Sequence, residues 1–251
     1  MIRVVLIDLG DTLVYLSRPW NDVFQDNLKS VYTFLRSRGL KTDFQDFAKP
    51  FIREFEHAST VSQFYKVEVP IQDIISRVLR KIKLKDLQGT LVQSAIKEFY
   101  KPEVEAWQLY PDALETLTAF RERRFKMGLI SNAKSDWAVR EILQEHDLSK
   151  LFDVILTSAA MRMRKPKLDI FSRALVALDA KACEAVFVGD SLQTDIIGAK
   201  TAGMRTVHVR RKPVDHPQFV VPDVTVTSLT EALDQIISWS NASAEKVTSG
   251  A

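Results

Sequence analysis

A chain of 251 residues, 46% of them hydrophobic, is long enough to bury a large core as one domain with an insertion or as two small domains. Its 35 lysines and arginines against 32 aspartates and glutamates leave a net charge of +3, spread along the sequence, which argues against a nucleic-acid surface. The one cysteine, Cys183, excludes an intrachain disulfide, and with no basic-then-apolar leader or bilayer-length apolar run the expectation is a soluble, cytoplasmic protein.

The chain opens with a strand-like run over residues 3–8, in which Val4-Val5-Leu6-Ile7 delivers Asp8, with Gly10, Asp11 and Thr12 close behind. From about residue 17 to 101 the apolar residues take helical spacing instead. Phe24, Leu28, Val31 and Leu35 make one stripe that stops at Gly39. Phe44, Phe47, Phe51 and Phe55 make a second, interrupted at Pro50. Ile71, Ile74, Ile75, Val78, Leu79 and Ile82 form a third, and Leu87, Leu91, Ala95, Ile96 and Phe99 a fourth. The aromatic residues of the first two stripes are expected in a helical core.

From Leu109 onward amphipathic helices alternate with the short apolar runs KMGLIS, FDVILT, AVFVGD and RTVHVR. That alternation predicts a parallel sheet flanked by helices, an α/β doubly wound, Rossmann-like core. The first strand has no neighbour of its kind until this region, so it joins the same sheet and the helical block becomes an insertion over the sheet's carboxyl edge. The expected division is a core of residues 1–16 and 102–240, an all-helical cap of residues 17–101, and a disordered Ser/Ala-rich tail over 241–251.

Open parallel sheets bind ligands beyond the carboxyl ends of their strands. Asp8, Gly10, Asp11 and Thr12 follow the first strand, Ser131 and Asn132 the second, Lys165-Pro166 lies in the loop after the third, and Gly189-Asp190-Ser191 with Asp195 follows the fourth. Together they read as a phosphoryl-transfer site. Singly each has a plainer reading: Asp8 as a turn residue, Ser131 and Asn132 as helix caps, Lys165 as a solvated charge, Asp190 and Asp195 as acids near a helix start. His57, His146, His208 and His216 are scattered without metal-ligand spacing and are assigned no role.

In order and spacing these four clusters resemble the motifs of the haloacid dehalogenase superfamily across nearly all of residues 1–210. LYPDALETLTAFRERRFKMGLISN, KPKLDIF and VFVGDSLQTDIIGAKTAGM are similar to the second, third and fourth motifs of its phosphatases. The resemblance implies that Asp8 is a nucleophile forming an aspartyl-phosphate, with Ser131, Asn132, Lys165 and Thr12 around the phosphate or its turn. It also implies magnesium held by Asp8, the Gly10 carbonyl and Asp190, with Asp195 completing or bracing the set. The implied activity is a magnesium-dependent phosphomonoesterase acting on a small phosphorylated metabolite, as a monomer or homodimer without nucleic-acid or membrane partners.

The departure is Gly10, where the family's phosphatases carry an acid/base aspartate. Glycine keeps a carbonyl for the metal but loses a proton donor worth about 10²- to 10⁴-fold in rate. Asp11 is the nearest substitute, although successive residues leaving a strand tend to point in different directions. Two other readings follow from the missing acid. One is a haloacid dehalogenase, whose halide leaves without protonation but which has no use for Asp190. The other is a non-catalytic phosphate-ligand binding or regulatory protein. In the insertion, Trp20, Asn21, Arg53 and Lys66 are the candidates for substrate contact.

Overall fold

The computed structural model describes residues 1–84, 90–211 and 220–248, with 243–248 described by backbone alone. Along the chain β1 (Val4–Ile7) and β2 (Val14–Leu16) lead into four helices, α1 (Trp20–Ser37), α2 (Phe44–Tyr65), α3 (Ile71–Lys81) and α4 (Leu91–Ala106). β3 (Trp107–Leu109) and α5 (Ala113–Glu122) follow, then β4 (Lys126–Ser131), α6 (Asp136–Glu145), β5 (Val154–Thr157) and the one-turn α7 (Ser158–Met161). The remaining elements are α8 (Leu168–Ala177), β6 (Ala185–Gly189), α9 (Ile197–Thr201), β7 (Arg205–Val209), β8 (Val224–Val226) and α10 (Leu229–Thr248).

Among the described residues the main sheet has six strands in the order β5-β4-β1-β6-β7-β8, every pairing parallel. β1 is apolar and buried throughout, as a central strand covered on both faces requires. Its side chains alternate between two cores: Val5 and Ile7 pack on one face, Val4 and Leu6 on the other. Ile7 stands beside Leu129 of β4 and Val188 of β6, so the three strands that carry the first, second and fourth clusters end at one level. That register is what gathers the clusters into one place. β8 completes an edge of the sheet that the sequence reading did not foresee.

The helical block leaves and re-enters the sheet domain through an antiparallel pair, β2 with β3, in which Leu16 faces Trp107. Its last helix runs to Ala106, beyond residue 101. α2 is continuous through Pro50, where the sequence pattern suggested a break. A proline there removes one intrahelical bond, but Asp43 caps the helix by accepting from the Asp46 amide, and the buried Phe47 and Phe51 hold it against α1 and α4. Leu87 lies outside the described residues. The expected loss of structure from Asn241 is also corrected: α10 continues to Thr248. Alanine, glutamate and lysine favour helix, and extending an established helix adds one hydrogen bond per residue without a new nucleus. Residues 249–251 lie outside the described residues. No described helix is long and apolar enough to cross a membrane.

Candidate active site

Asp8 is the first residue past β1, its amide held by the Val188 carbonyl at 3.0 Å. Its carboxylate is almost enclosed and both oxygens are engaged: Oδ1 accepts from Lys165 Nζ at 2.6 Å, and Oδ2 from Thr12 Oγ1 at 3.3 Å. Thr12 is fully buried and turned to Asp8, so the expected phosphate contact is replaced by a brace on the carboxylate.

Lys165 is equally buried, and its ammonium also meets Asp195 Oδ1 at 2.8 Å. It reaches this position because Asn132 clamps its backbone twice: Asn132 Oδ1 accepts from the Lys165 amide at 2.9 Å, and Asn132 Nδ2 donates to the Lys165 carbonyl at 3.1 Å. The Asn132 side chain is therefore committed to the loop, and its main-chain amide is the group left for the expected phosphate contact. Ser131, the last residue of β4, faces the same cavity.

After β6 the chain turns through Gly189, Asp190 and Ser191 into a π-helical turn, Leu192–Ile196, which carries Asp195 inward. Gly189 makes this possible, because a β-carbon there would collide with the Asp195 carboxyl group. The Ser191 amide donates to Asp195 Oδ2 at 3.1 Å and Thr194 Oγ1 to Oδ1 at 3.3 Å. His208, to which no role was assigned, is buried on β7 with Nε2 at 3.0 Å from the Asp190 carbonyl. A carbonyl accepts only, so Nε2 carries the proton, and burial lowers the His208 pKa in keeping with a neutral ring. His146 lies away from this group against the Trp107 carbonyl, and His216 falls outside the described residues.

Asp8, Asp190 and Asp195 each place a carboxylate oxygen within 4.8 Å of the others. Burial pushes the pKa of Asp8 up to about 6 despite the Lys165 ammonium, and Asp195 adds to the rise. Asp190 is pushed to about 8, first by burial and then by the charges of Asp8, Asp195 and Asp11. Burial opposes the charge on Lys165, but Asp195 and Asp8 outweigh it and raise its pKa. Three carboxyl groups meet one ammonium, and the raised pKa of Asp190 marks a site short of positive charge. Oxygen donors in such a site fit a hard divalent cation such as magnesium.

Gly10 takes ordinary backbone angles, while Asp11 takes the left-handed conformation at φ 55°. A β-carbon on Gly10 would stand 3.5 Å from Cη2 of Trp107, an ordinary contact. Asp11 lines the cavity, and its charge acts on Asp190, so it faces the site.

The cavity itself, about 650 Å³, lies between the sheet edge and the helical block. Of the four substrate-contact candidates, Trp20 and Lys66 line it, whereas Asn21 and Arg53 do not. Phe55, expected in the helical core, is half-buried and lines the cavity as well. Glu68, Glu103, Lys134 and Arg164 line it and were not foreseen. Glu103 was legible in principle, being an acid on the apolar face of Ile96, Phe99 and Tyr100. Asn27 Nδ2 donates to its Oε2 at 3.0 Å, and burial pushes its pKa to about 7 against the opposing effect of Asn27 and Trp107. Lys134 and Arg164 sit within the loops of the second and third clusters, where lysine and arginine pass for solvated charge.

Residues 37–209 match the family described as haloacid dehalogenase-like hydrolases. The chain is 30% identical over 242 residues to a glyceraldehyde 3-phosphate phosphatase of Methanopyrus kandleri, covering 94% of this chain and 97% of that one. A 2-haloacid dehalogenase from Pseudomonas syringae superposes with a TM-score of 0.67 at 22% identity, over 95% of this chain and 99% of that one. A HAD phosphatase from Thermococcus onnurineus does so with a TM-score of 0.65 at 24% identity, over 94% and 98%. The structural likenesses speak for the fold; the sequence matches, with the motif residues gathered on one sheet edge, carry the lineage. The chain belongs to the haloacid dehalogenase-like hydrolases.

Proposed function

We propose that this protein is a magnesium-dependent, cytoplasmic phosphomonoesterase that hydrolyses a small phosphorylated metabolite through an aspartyl-phosphate on Asp8. The observation that carries the reading is the setting of Asp8: buried at the carboxyl edge of the sheet, held at both oxygens by Lys165 and Thr12, and grouped with Asp190 and Asp195. A carboxylate fixed in this way is oriented for attack before substrate arrives. Asp8 forms a bond to phosphorus as the bond to the leaving oxygen breaks; water then splits the acyl phosphate and restores the carboxylate.

Lys165 holds positive charge beside the nucleophile, offsetting the repulsion between carboxylate and phosphate. Ser131 and the Asn132 amide face the cavity where the phosphoryl oxygens would lie. Magnesium would be held by Asp8, Asp190 and the Gly10 carbonyl, with Asp195 bracing the set, and would neutralise charge on the transferring group. The helical block, residues 17–101 and on through the end of α4, acts as a cap, presenting Trp20, Phe55 and Glu103 to the cavity and excluding water.

The likeness to a dehalogenase does not favour that chemistry here, since loss of a halide gives no use for a three-carboxylate group. The test is phosphate release from an aryl phosphate with magnesium and with chelator. Aryl leaving groups hardly need protonation, so the lack of an acid at Gly10 does not mask the nucleophile. Magnesium-dependent release is expected; none at any magnesium concentration, with folded protein, sinks the reading.

A further inference from the structure

Beside the catalytic group the cavity holds a second set of charges. Glu68, on the connection between α2 and α3, is buried at 2% exposure. Its Oε1 accepts from Ser62 Oγ at 3.1 Å and its Oε2 from Ser158 Oγ at 2.8 Å. Two cations share the same carboxylate: Lys134 Nζ donates to Oε1 at 3.2 Å, and Arg164 stands 3.4 Å from Oε2. The tight ion pairs at Lys165 measure 2.6 and 2.8 Å by comparison. One negative charge is thus shared between two positive ones.

All three residues line the cavity, with Lys66 as a further cation on its wall. Burial lowers the pKa of Lys134, the charge and hydrogen bond of Glu68 offset that only in part, and the neighbouring Arg164 adds to the fall. Lys165, in contrast, has two carboxylates to itself, Asp8 and Asp195. Glu103, the other acid on this side of the cavity, sits against Asn27 and Trp107.

Lys134 comes three residues after Ser131, and Arg164 immediately precedes Lys165. Three residues span at most about 10 Å, so these cations stand within the reach of a short metabolite whose phosphate lies at Ser131 and Lys165. From this placement we propose that Lys134 and Arg164 form a subsite for a second anionic group, carboxylate or phosphate, on the non-transferred end of the substrate. The inference rests on the phosphatase reading for the place of the first phosphate. It narrows the substrate class to small phosphomonoesters with a second negative charge. A guanidinium fork and an ammonium in a partly dry cavity bind an anion more strongly than a hydroxyl there, because the hydroxyl leaves the surplus charge unpaired.

The test is calorimetric binding to full-length Asp8→Asn, which holds substrate without turning it over. Glycerol 3-phosphate, 3-phosphoglycerate and 1,3-propanediol bisphosphate are compared; the first two differ by a hydroxymethyl group against a carboxylate. At least one of the two compounds with a second anionic group should bind about 10- to 100-fold tighter than glycerol 3-phosphate, the range of one charge-assisted contact. Which one identifies the anion. Adding Lys134→Met should erase most of that ratio and Lys134→Arg should retain it. Lys134→Met with Glu68→Gln, which leaves no acid without its ammonium, should show the same loss and guards against a folding defect in the single variant. Equal binding of all three compounds, or a ratio that survives removal of Lys134 and Arg164 together, overturns the subsite. Failure of aryl phosphate turnover by the parent protein is a separate result and bears on the phosphatase reading alone.

Discussion

The sheet edge and the helical cap meet the same cavity but are organised on different principles. At the edge, Asp8, Ser131 and Asp190 leave parallel strands held in register, so each side chain is placed by a backbone with almost no freedom. In the cap, Trp20, Phe55 and Glu103 reach the cavity from three separate helices whose packing depends on aromatic contacts such as Phe24 with Phe55 and Phe51 with Phe99. On the proposed reading the edge carries the chemistry, and the cap and the loops beside it carry choice of substrate. Changes at the edge should therefore affect every substrate alike, and changes elsewhere should discriminate among them.

The largest expected effect is that of Asp8→Asn, which should reduce hydrolysis of aryl and alkyl phosphates to background with thermal unfolding little changed. An amide is a poor nucleophile and a weaker metal ligand, and Lys165 keeps Asp195 as its partner. Activity near the parental rate on any phosphate ester would remove Asp8 from the chemistry.

Gly189→Ala tests the edge without replacing a charged residue. The new methyl collides with the Asp195 carboxyl and must push it away. Displacing Asp195, the proposed brace of the metal group, should weaken magnesium activation about 10- to 100-fold, and overpacking should cost about 1–3 kcal/mol of stability. Unchanged magnesium half-saturation would show that Asp195 serves only to hold Lys165.

Gly10→Asp should separate substrates by their leaving groups. Ordinary backbone angles and room for a β-carbon beside Trp107 permit the side chain. Turnover of alkyl phosphates, whose leaving oxygen needs a proton, should rise by up to about 10²-fold, and aryl phosphates should gain little. An equal response from both classes would mean that another group, Asp11 first, already donates.

The smallest effect expected belongs to the cap. Glu103 keeps its proton up to about pH 7 in the folded protein, whereas the unfolded chain releases it near 4.5. Between those values the folded state binds more protons, so stability falls as pH rises from about 4.5 to 7 and levels off above. A shift of that size corresponds to roughly 3 kcal/mol at most. Glu103→Gln keeps an acceptor for Asn27 and should flatten this slope. Parallel unfolding curves for the two proteins from pH 4.5 to 7 would show that the carboxyl is not held protonated.

Much of the edge was legible in the sequence because its signals are local. A strand of apolar residues ending in a carboxylate, a Ser-Asn at the end of the next, and a Gly-Asp-Ser turn each declare their place within a few residues. Side-chain partners were less legible. Thr12 and Asn132 both lie in the motifs, yet one is spent on Asp8 and the other on the Lys165 backbone, and only the folded loops show which atoms face the cavity. Phe55 obeys the same helical period as the buried Phe47 and Phe51, so periodicity alone could not say that its edge meets the cavity. Glu68 has no local signal at all. Apart from Ser62, it is placed by contacts with Ser158, Lys134 and Arg164, far along the chain.

The central claim is that Asp8 attacks phosphorus at a magnesium site on the sheet edge. It is tested most directly by a crystal soaked with beryllofluoride and magnesium, since beryllofluoride mimics a phosphoryl group bonded to a carboxylate. The account predicts beryllium bonded to a carboxylate oxygen of Asp8, fluorines toward Ser131 and Lys165, and the cation among Asp8, Asp190 and the Gly10 carbonyl. Beryllofluoride on another residue, or magnesium bound without Asp190, would contradict it.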